Sequence, residues 1–129
     1  MITALYASVL ALLICWLTLQ VIKARKKNQV RYADGGVEEL QIARTAHSNA
    51  VEYIPITLIL LFLLETNGAS IWLLHLGGMA LLIGRLLHCR GILGEWMTGR
   101  VLGMQITIFT LVSLALSNLF YLSFDKLFS

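Results

Sequence analysis

The chain has 129 residues, of which 58% are hydrophobic and only 13% are charged, and its formal net charge is +3. The charged share is about half that of an average globular protein, and one proline and ten glycines argue against disorder. This composition predicts one membrane domain over residues 1–129 without a soluble appendage, and it gives no reason to expect a nucleic-acid partner.

Four apolar stretches are long enough, or nearly so, to cross a hydrocarbon core of about 30 Å. We predict spans at about residues 2–22, 49–65, 70–88 and 101–123, and therefore an all-α, integral membrane four-helix bundle. The first stretch is not expected to be a cleavable signal peptide. Its positive charges follow the apolar run, and no small-residue cleavage site is evident.

The second helical pattern is longer than a membrane span. It runs without a break from Val37 to about Glu65, a length of about 44 Å at 1.5 Å per residue. Its polar first half is therefore expected to project from the membrane or to line a cavity. Asp34 is a candidate N-cap for this helix, and Pro55 is expected to kink it.

The remaining connections are short. Residues 66–70 form a predicted turn in which Ser70 is a candidate N-cap, so the second and third spans make an antiparallel hairpin. The fourth helix opens with a GxxxG pattern at Gly99 and Gly103, which favours close helix approach. His75 lies among leucines and is expected to be a packing or helix-contact residue. Cys15 and Cys89 are expected to lie too far apart for a disulfide.

The basic residues are distributed asymmetrically. Nine of the ten lie between the first two spans or around the connection between the last two, on the same side of a four-span bundle: Lys23, Arg25, Lys26, Lys27, Arg31, Arg44, Arg85, Arg90 and Arg100. Only Lys126 lies opposite. The positive-inside rule makes the basic side cytoplasmic and puts both termini on the other side.

A polar constellation is predicted at that basic side. Glu52 lies within the second span, where a carboxylate is costly and marks a function by default. Gln41, Thr45 and Asn49 share its helix face, within about 80°. The third helix presents Arg85 and His88 at i, i+3; Arg100 opens the fourth helix, and Arg25 closes the first.

This pocket suits a small anionic ligand that also carries an amine. The arginines would hold carboxylates, and Glu52 would receive an ammonium group. Glutathione has these groups, and an arginine near its thiol would favour the nucleophilic thiolate. Alternatively, Glu52 pairs with Arg85 or Arg100 and only fixes the bundle. His47, His88 and Cys89 do not have the spacing of a metal site, so no metal is expected.

The segment Asn49-Ala50-Val51-Glu52-Tyr53-Ile54-Pro55 resembles the Asn-x-x-Glu-(Tyr)-x-Pro pattern of the MAPEG family, the membrane-associated proteins in eicosanoid and glutathione metabolism. Gln20 to Arg25, and Arg85-x-x-His88 followed by Arg100, also resemble family elements. The resemblance implies a homotrimer with three glutathione sites between subunits, open to the cytoplasm. It assigns these residues to glutathione binding: Arg25, Asn49, Glu52, Tyr53, Arg85, His88 and Arg100. Arg100 would stabilise the thiolate and is the implied catalytic residue.

The chain departs from the family pattern at Thr45, Gly91 and Met104, where some members carry arginine, an aromatic residue and tyrosine. These departures favour conjugation of lipophilic electrophiles or reduction of hydroperoxides over an eicosanoid-specific role. A non-catalytic lipid-binding or scaffolding protein of the same fold is the alternative. A small multidrug transporter is disfavoured, because such proteins carry their essential carboxylate in the first helix, which here has no charge in its span.

Overall fold

The computed structural model describes residues 1–129 and is entirely helical. The helices in chain order are α1 (Ile2–Asn28), α2 (Glu38–Thr66), α3 (Ile71–Leu93), α4 (Met97–Tyr121) and the short α5 (Phe124–Leu127). The four long helices are each long and apolar enough to cross a membrane. The predicted all-α bundle of four membrane-spanning helices is therefore confirmed.

We call the end of the bundle where α1 ends, α2 begins, α3 ends and α4 begins the basic end. Here α1 continues beyond its apolar run, with three basic residues in its last turn, where the helix macrodipole favours cations. Gln29 ends the helix in the left-handed conformation, with φ of 54°. The second helix runs unbroken through Pro55, and the expected kink there stays a prediction.

The prediction that Asp34 caps α2 is wrong. The N-cap position is Val37, which has no side-chain cap. The Asp34 carboxylate instead accepts a hydrogen bond from the Gly36 N–H at 2.9 Å, and it lies 3.9 Å from Nη1 of Arg44. Asp34 therefore stabilises the turn before the helix, because two glycines with positive φ separate it from the helix start. The predicted cap at Ser70 is confirmed, since its Oγ accepts the Leu73 N–H at 3.3 Å.

The α3 and α4 backbones touch near the basic end, and this pair makes the most extensive contact in the bundle. A Cβ added at Gly91 would lie 2.1 Å from the Arg100 backbone nitrogen, and one added at Gly103 would lie 2.3 Å from that of His88. Only glycine permits this approach. The predicted close packing at the GxxxG pattern is confirmed, and it fixes Arg100 against α3.

At the opposite end, polar contacts attach α1 to its neighbours. The Glu65 carboxylate at the end of α2 accepts hydrogen bonds from the backbone N–H groups of Ile2 (2.5 Å) and Thr3 (2.8 Å). Glu65 thus satisfies donors that the first turn of a helix leaves free. The Tyr6 hydroxyl on α1 contacts His75 on α3, so the prediction of a helix-contact histidine is confirmed.

Candidate functional site

The centre of the candidate site is the guanidinium of Arg85, a side chain that is 0% exposed. Its Nη2 donates a hydrogen bond to Oδ1 of Asn49 on α2 at 2.8 Å. The same nitrogen lies 3.2 Å from Nδ1 of His88, and a guanidinium can only donate, so Nδ1 is the acceptor. Nε and Nη1 of Arg85 have no partner. Buried charges are normally paired, and these two donors are available to an anionic group.

Aromatic and imidazole groups complete this cluster. The Tyr53 ring, one turn beyond Asn49 on α2, has its centroid 6.0 Å from Cζ of Arg85, at the limit of a cation–π contact. His88 is almost fully buried. The structure therefore brings together four residues that the sequence singled out, Asn49, Tyr53, Arg85 and His88, and it does so through the facing turns of α2 and α3.

Arg100 lies next to this cluster but is exposed. It lines a cavity of about 370 Å³ between α2, α3 and the start of α4, together with Gln41, Thr45 and Ile92. Thr45 lies four residues before Asn49 on α2, and Ile92 lies four residues after His88 on α3, about one helical turn in each case. The cavity therefore lies about one turn nearer the basic end than the buried Arg85 cluster.

Glu52 has no ion-pair partner in the chain. The structure contains two ion pairs, Lys27–Glu39 at 3.2 Å and Arg44–Asp34 at 3.9 Å. The alternative in which Glu52 pairs with Arg85 or Arg100 is therefore wrong within one chain. Glu52 is exposed, on the face of α2 that also presents Gln41, Thr45 and Ser48. We call these four residues the α2 stripe. A carboxylate at such a position is costly against hydrocarbon, so the stripe requires a polar partner or water.

Arg25 is not part of the cluster within one chain. It is half-buried, and its Nη1 donates a hydrogen bond to the Ala33 carbonyl at 2.9 Å. It lines a separate cavity formed by the end of α1 and the following loop. The sequence places Arg25 at the same end of the bundle as the pocket, because α1 ends there. Helix order alone does not determine on which side of the bundle the Arg25 side chain lies.

Sequence reasoning missed two carboxylates, Glu38 and Glu95, which line the Arg100 cavity. Glu95 has φ of 50°, a left-handed conformation that favours glycine. The preceding Gly94 has φ of −94°. No motif in the sequence indicates that a carboxylate occupies the left-handed position of this turn.

The fold and the site define a multi-pass membrane protein with one buried arginine, Arg85, and its polar partners near one end of a four-helix bundle. Residues 3–120 match the model of the MAPEG family. The chain is 42% identical over 129 residues to the inner membrane protein YecN of Escherichia coli K12, covering 100% of the chain and 98% of the relative. The same identity and coverage hold for YecN of E. coli O6:H1.

The chain therefore belongs to the MAPEG family. With four helices able to cross a membrane and a relative named for the inner membrane, it is an integral, multi-pass membrane protein of inner-membrane type.

Proposed function

We propose that the protein is a membrane-bound glutathione transferase or peroxidase. The observation that carries this proposal is the buried Arg85 guanidinium, held by Asn49 and left with two unpaired nitrogens. A carboxylate of glutathione would occupy those donors in a bidentate or forked arrangement. Family membership supports a glutathione ligand as well, because glutathione transferases are found in this family.

Arg100 is the proposed catalytic residue. It lines the cavity that adjoins the Arg85 cluster, and its α-carbon is fixed against Gly91. A guanidinium held in this way lowers the pKa of a bound thiol and stabilises the thiolate before reaction. In conjugation, the thiolate sulfur forms a bond to an electrophilic carbon, and either a leaving group departs with its bonding electrons or the carbanion formed by addition to a double bond takes up a proton. In peroxide reduction, the sulfur attacks the terminal hydroperoxide oxygen and the O–O bond breaks, which gives glutathione sulfenic acid and an alkoxide that is protonated to the alcohol. The thiol of a second glutathione then attacks the sulfenic sulfur, water leaves, and glutathione disulfide is released.

The exposed position of Glu52 supports a site shared between copies. The α2 stripe is polar and lies partly within a predicted span, so a second copy of the chain is the partner that we propose for it, as a homotrimer. Arg25 and Glu52 would then reach the glutathione from neighbouring copies. With the basic end in the cytoplasm and both termini opposite, glutathione enters from the cytoplasm and the lipophilic substrate enters from the bilayer.

One observation favours the alternative, a non-catalytic lipid-binding protein. An apolar cavity of about 180 Å³ lies between α3 and α4 and is lined by Leu76, Ala80, Phe109 and Leu114, among others. Its apolar lining suits part of an acyl chain. It lies on the far side of Gly103 from the Arg85 cluster, so an occupant there would not meet a thiol bound at Arg100.

The proposal is tested by titrating the detergent-purified protein with glutathione and following thiolate absorbance in the ultraviolet. We expect a saturable thiolate band that is lost in Arg100→Leu and weakened in Glu52→Gln. Arg90→Leu is the matched control, because Arg90 is exposed at the same end and does not line the Arg100 cavity. Absence of binding at millimolar glutathione, or an undiminished thiolate band in Arg100→Leu, would contradict the proposed function and favour the lipid-binding alternative.

A further inference from the structure

The loop between α1 and α2 is a folded element. After Gln29, the Val30 N–H donates to the Arg25 carbonyl at 3.1 Å, and Arg25 in turn donates to the Ala33 carbonyl at 2.9 Å. A Cβ added at Gly35 would lie 3.0 Å from a methyl carbon of Val30, so the returning chain packs on the departing one. The backbone of the loop therefore has a defined course that brings Arg31 beside the end of α1.

Three cations converge on one cavity within this element. The cavity has a volume of about 530 Å³ and is lined by Arg25, Lys26, Gln29, Val30 and Arg31. No carboxylate is among the lining residues, so the three positive charges are not neutralised there.

Three acidic residues follow the cavity in the chain, and none of them lines it. Glu38 lines the Arg100 cavity instead. Asp34 faces Arg44 at 3.9 Å. Glu39 pairs with Lys27 at 3.2 Å and accepts a further hydrogen bond from Asn28 at 3.2 Å. Because none of these three carboxylates lines the cavity, its cations are free to bind an anion from outside the chain.

The predicted end of the first span puts the cavity at the level of lipid headgroups. The apolar run of α1 ends at Ile22, and Arg25 follows within one turn, where a span leaves the hydrocarbon. Guanidinium and ammonium groups at that level attract anionic lipids, and arginine matches the geometry of phosphate oxygens.

We propose that this cavity binds the phosphate of an anionic phospholipid headgroup. A phospholipid headgroup and free inorganic phosphate both present a phosphate anion. The expected level of the cavity, at the membrane surface, favours the lipid over free phosphate. The proposal does not rest on the proposed function. Lys26 and Arg31 would hold the phosphate, and neither is among the proposed glutathione-binding residues. Arg25, which is assigned to glutathione, holds the loop at this cavity through the Ala33 carbonyl.

The test measures retention of phosphatidylglycerol on the detergent-purified full chain by native mass spectrometry, with phosphatidylcholine as the neutral comparison. Lys26→Gln and Arg31→Gln are each expected to weaken retention about fivefold, and the double variant to weaken it more than tenfold. Arg90→Gln is the matched control, since it removes one positive charge at the same end without touching the cavity. The circular dichroism of each variant should match that of the parent chain.

Selective retention of phosphatidylglycerol that falls in both cavity variants and not in Arg90→Gln supports the proposal. Equal retention by all variants, or equal retention of phosphatidylcholine, overturns it. A second arm adds inorganic phosphate in place of lipid. If phosphate alone raises the melting temperature as much as phosphatidylglycerol does, and the cavity variants abolish both effects, the site binds free anions and the lipid assignment fails.

Discussion

The hydroxyl of Tyr6 on α1 lies 2.8 Å from Nδ1 of His75 on α3. The two rings also meet edge to face, with centroids 5.9 Å apart, and the Tyr6 ring covers Gly78 so closely that a Cβ there would lie 2.2 Å from it. A polar contact and a packing contact thus coincide where α1 crosses α3, at the end of the bundle away from the arginine cluster.

The Tyr6–His75 contact should stabilise the fold independently of glutathione binding. Tyr6→Phe keeps the ring on Gly78 but leaves the imidazole nitrogen without this partner, at a cost of about 1 kcal/mol in the free energy of unfolding. Denaturant titration in mixed micelles measures the loss. Tyr121→Phe is the control, because no hydrogen bond of the Tyr121 hydroxyl is seen. An unchanged midpoint in Tyr6→Phe would show that the hydrogen bond contributes no net stability.

Glu65 should hold the first turn of α1. In Glu65→Gln the carboxylate that accepts both N–H groups becomes a neutral amide with one acceptor oxygen. The favourable interaction of its charge with the positive end of the helix is also lost, for about 1 kcal/mol. Amide hydrogen exchange at Ile2 and Thr3 is therefore expected to accelerate severalfold. Asp125→Asn, on α5, removes an acidic charge near the other terminus and should leave the exchange unchanged.

Gly103 should be intolerant of any side chain. In Gly103→Ala the new Cβ would meet the His88 backbone nitrogen at 2.3 Å, so α3 and α4 must separate. We expect a loss of about 1–3 kcal/mol and a lower glutathione affinity, read from the melting temperature and the thiolate titration. Gly94→Ala is the comparison, because its Cβ meets only the Arg90 carbonyl, at 3.0 Å. Equal effects of the two substitutions would argue against a special role for the α3–α4 contact.

Arg85 and Asn49 should respond to substitution with opposite signs. Arg85→Met replaces a buried and partly unpaired charge by an apolar chain of similar length, so stability should be unchanged or higher, while glutathione binding is lost. Asn49→Ala leaves the charge buried without its amide acceptor and should cost about 2–3 kcal/mol. Paired melting and binding measurements separate the two. Unfolding of Arg85→Met would mean that the guanidinium is structural and not a ligand-binding group.

The sequence predicted those parts of the site that depend on helical periodicity. Asn49 and Tyr53 lie one turn apart on α2, and Arg85 and His88 lie three residues apart on α3, so two facing helices suffice to bring the four together. The contact between Glu65 and the start of α1 was not predictable in the same way. It joins residues separated by 63 positions, and no local pattern reports which helix ends meet.

One prediction and one alternative interpretation fail in the structure for a related reason. Asp34 is a residue type typical of an N-cap, but the two glycines that follow it adopt positive φ, and its carboxylate stabilises the loop instead. The alternative in which Glu52 pairs with Arg85 or Arg100 requires α2 to turn Glu52 toward α3 or α4, and helix order leaves the rotation of α2 about its own axis undetermined. The structure turns Glu52 outward.

The glycine contacts between α3 and α4 have a consequence for how the pocket can open. Because Gly91 and Gly103 let the α3 and α4 backbones pack in direct contact, we expect Arg85, His88 and Arg100 to keep their relative positions when a ligand enters. We then expect any widening of the pocket to occur on the side of α2, which carries Asn49, Tyr53 and Glu52. The longest helix, and not the α3–α4 hairpin, is therefore the element whose displacement would control access to the buried guanidinium.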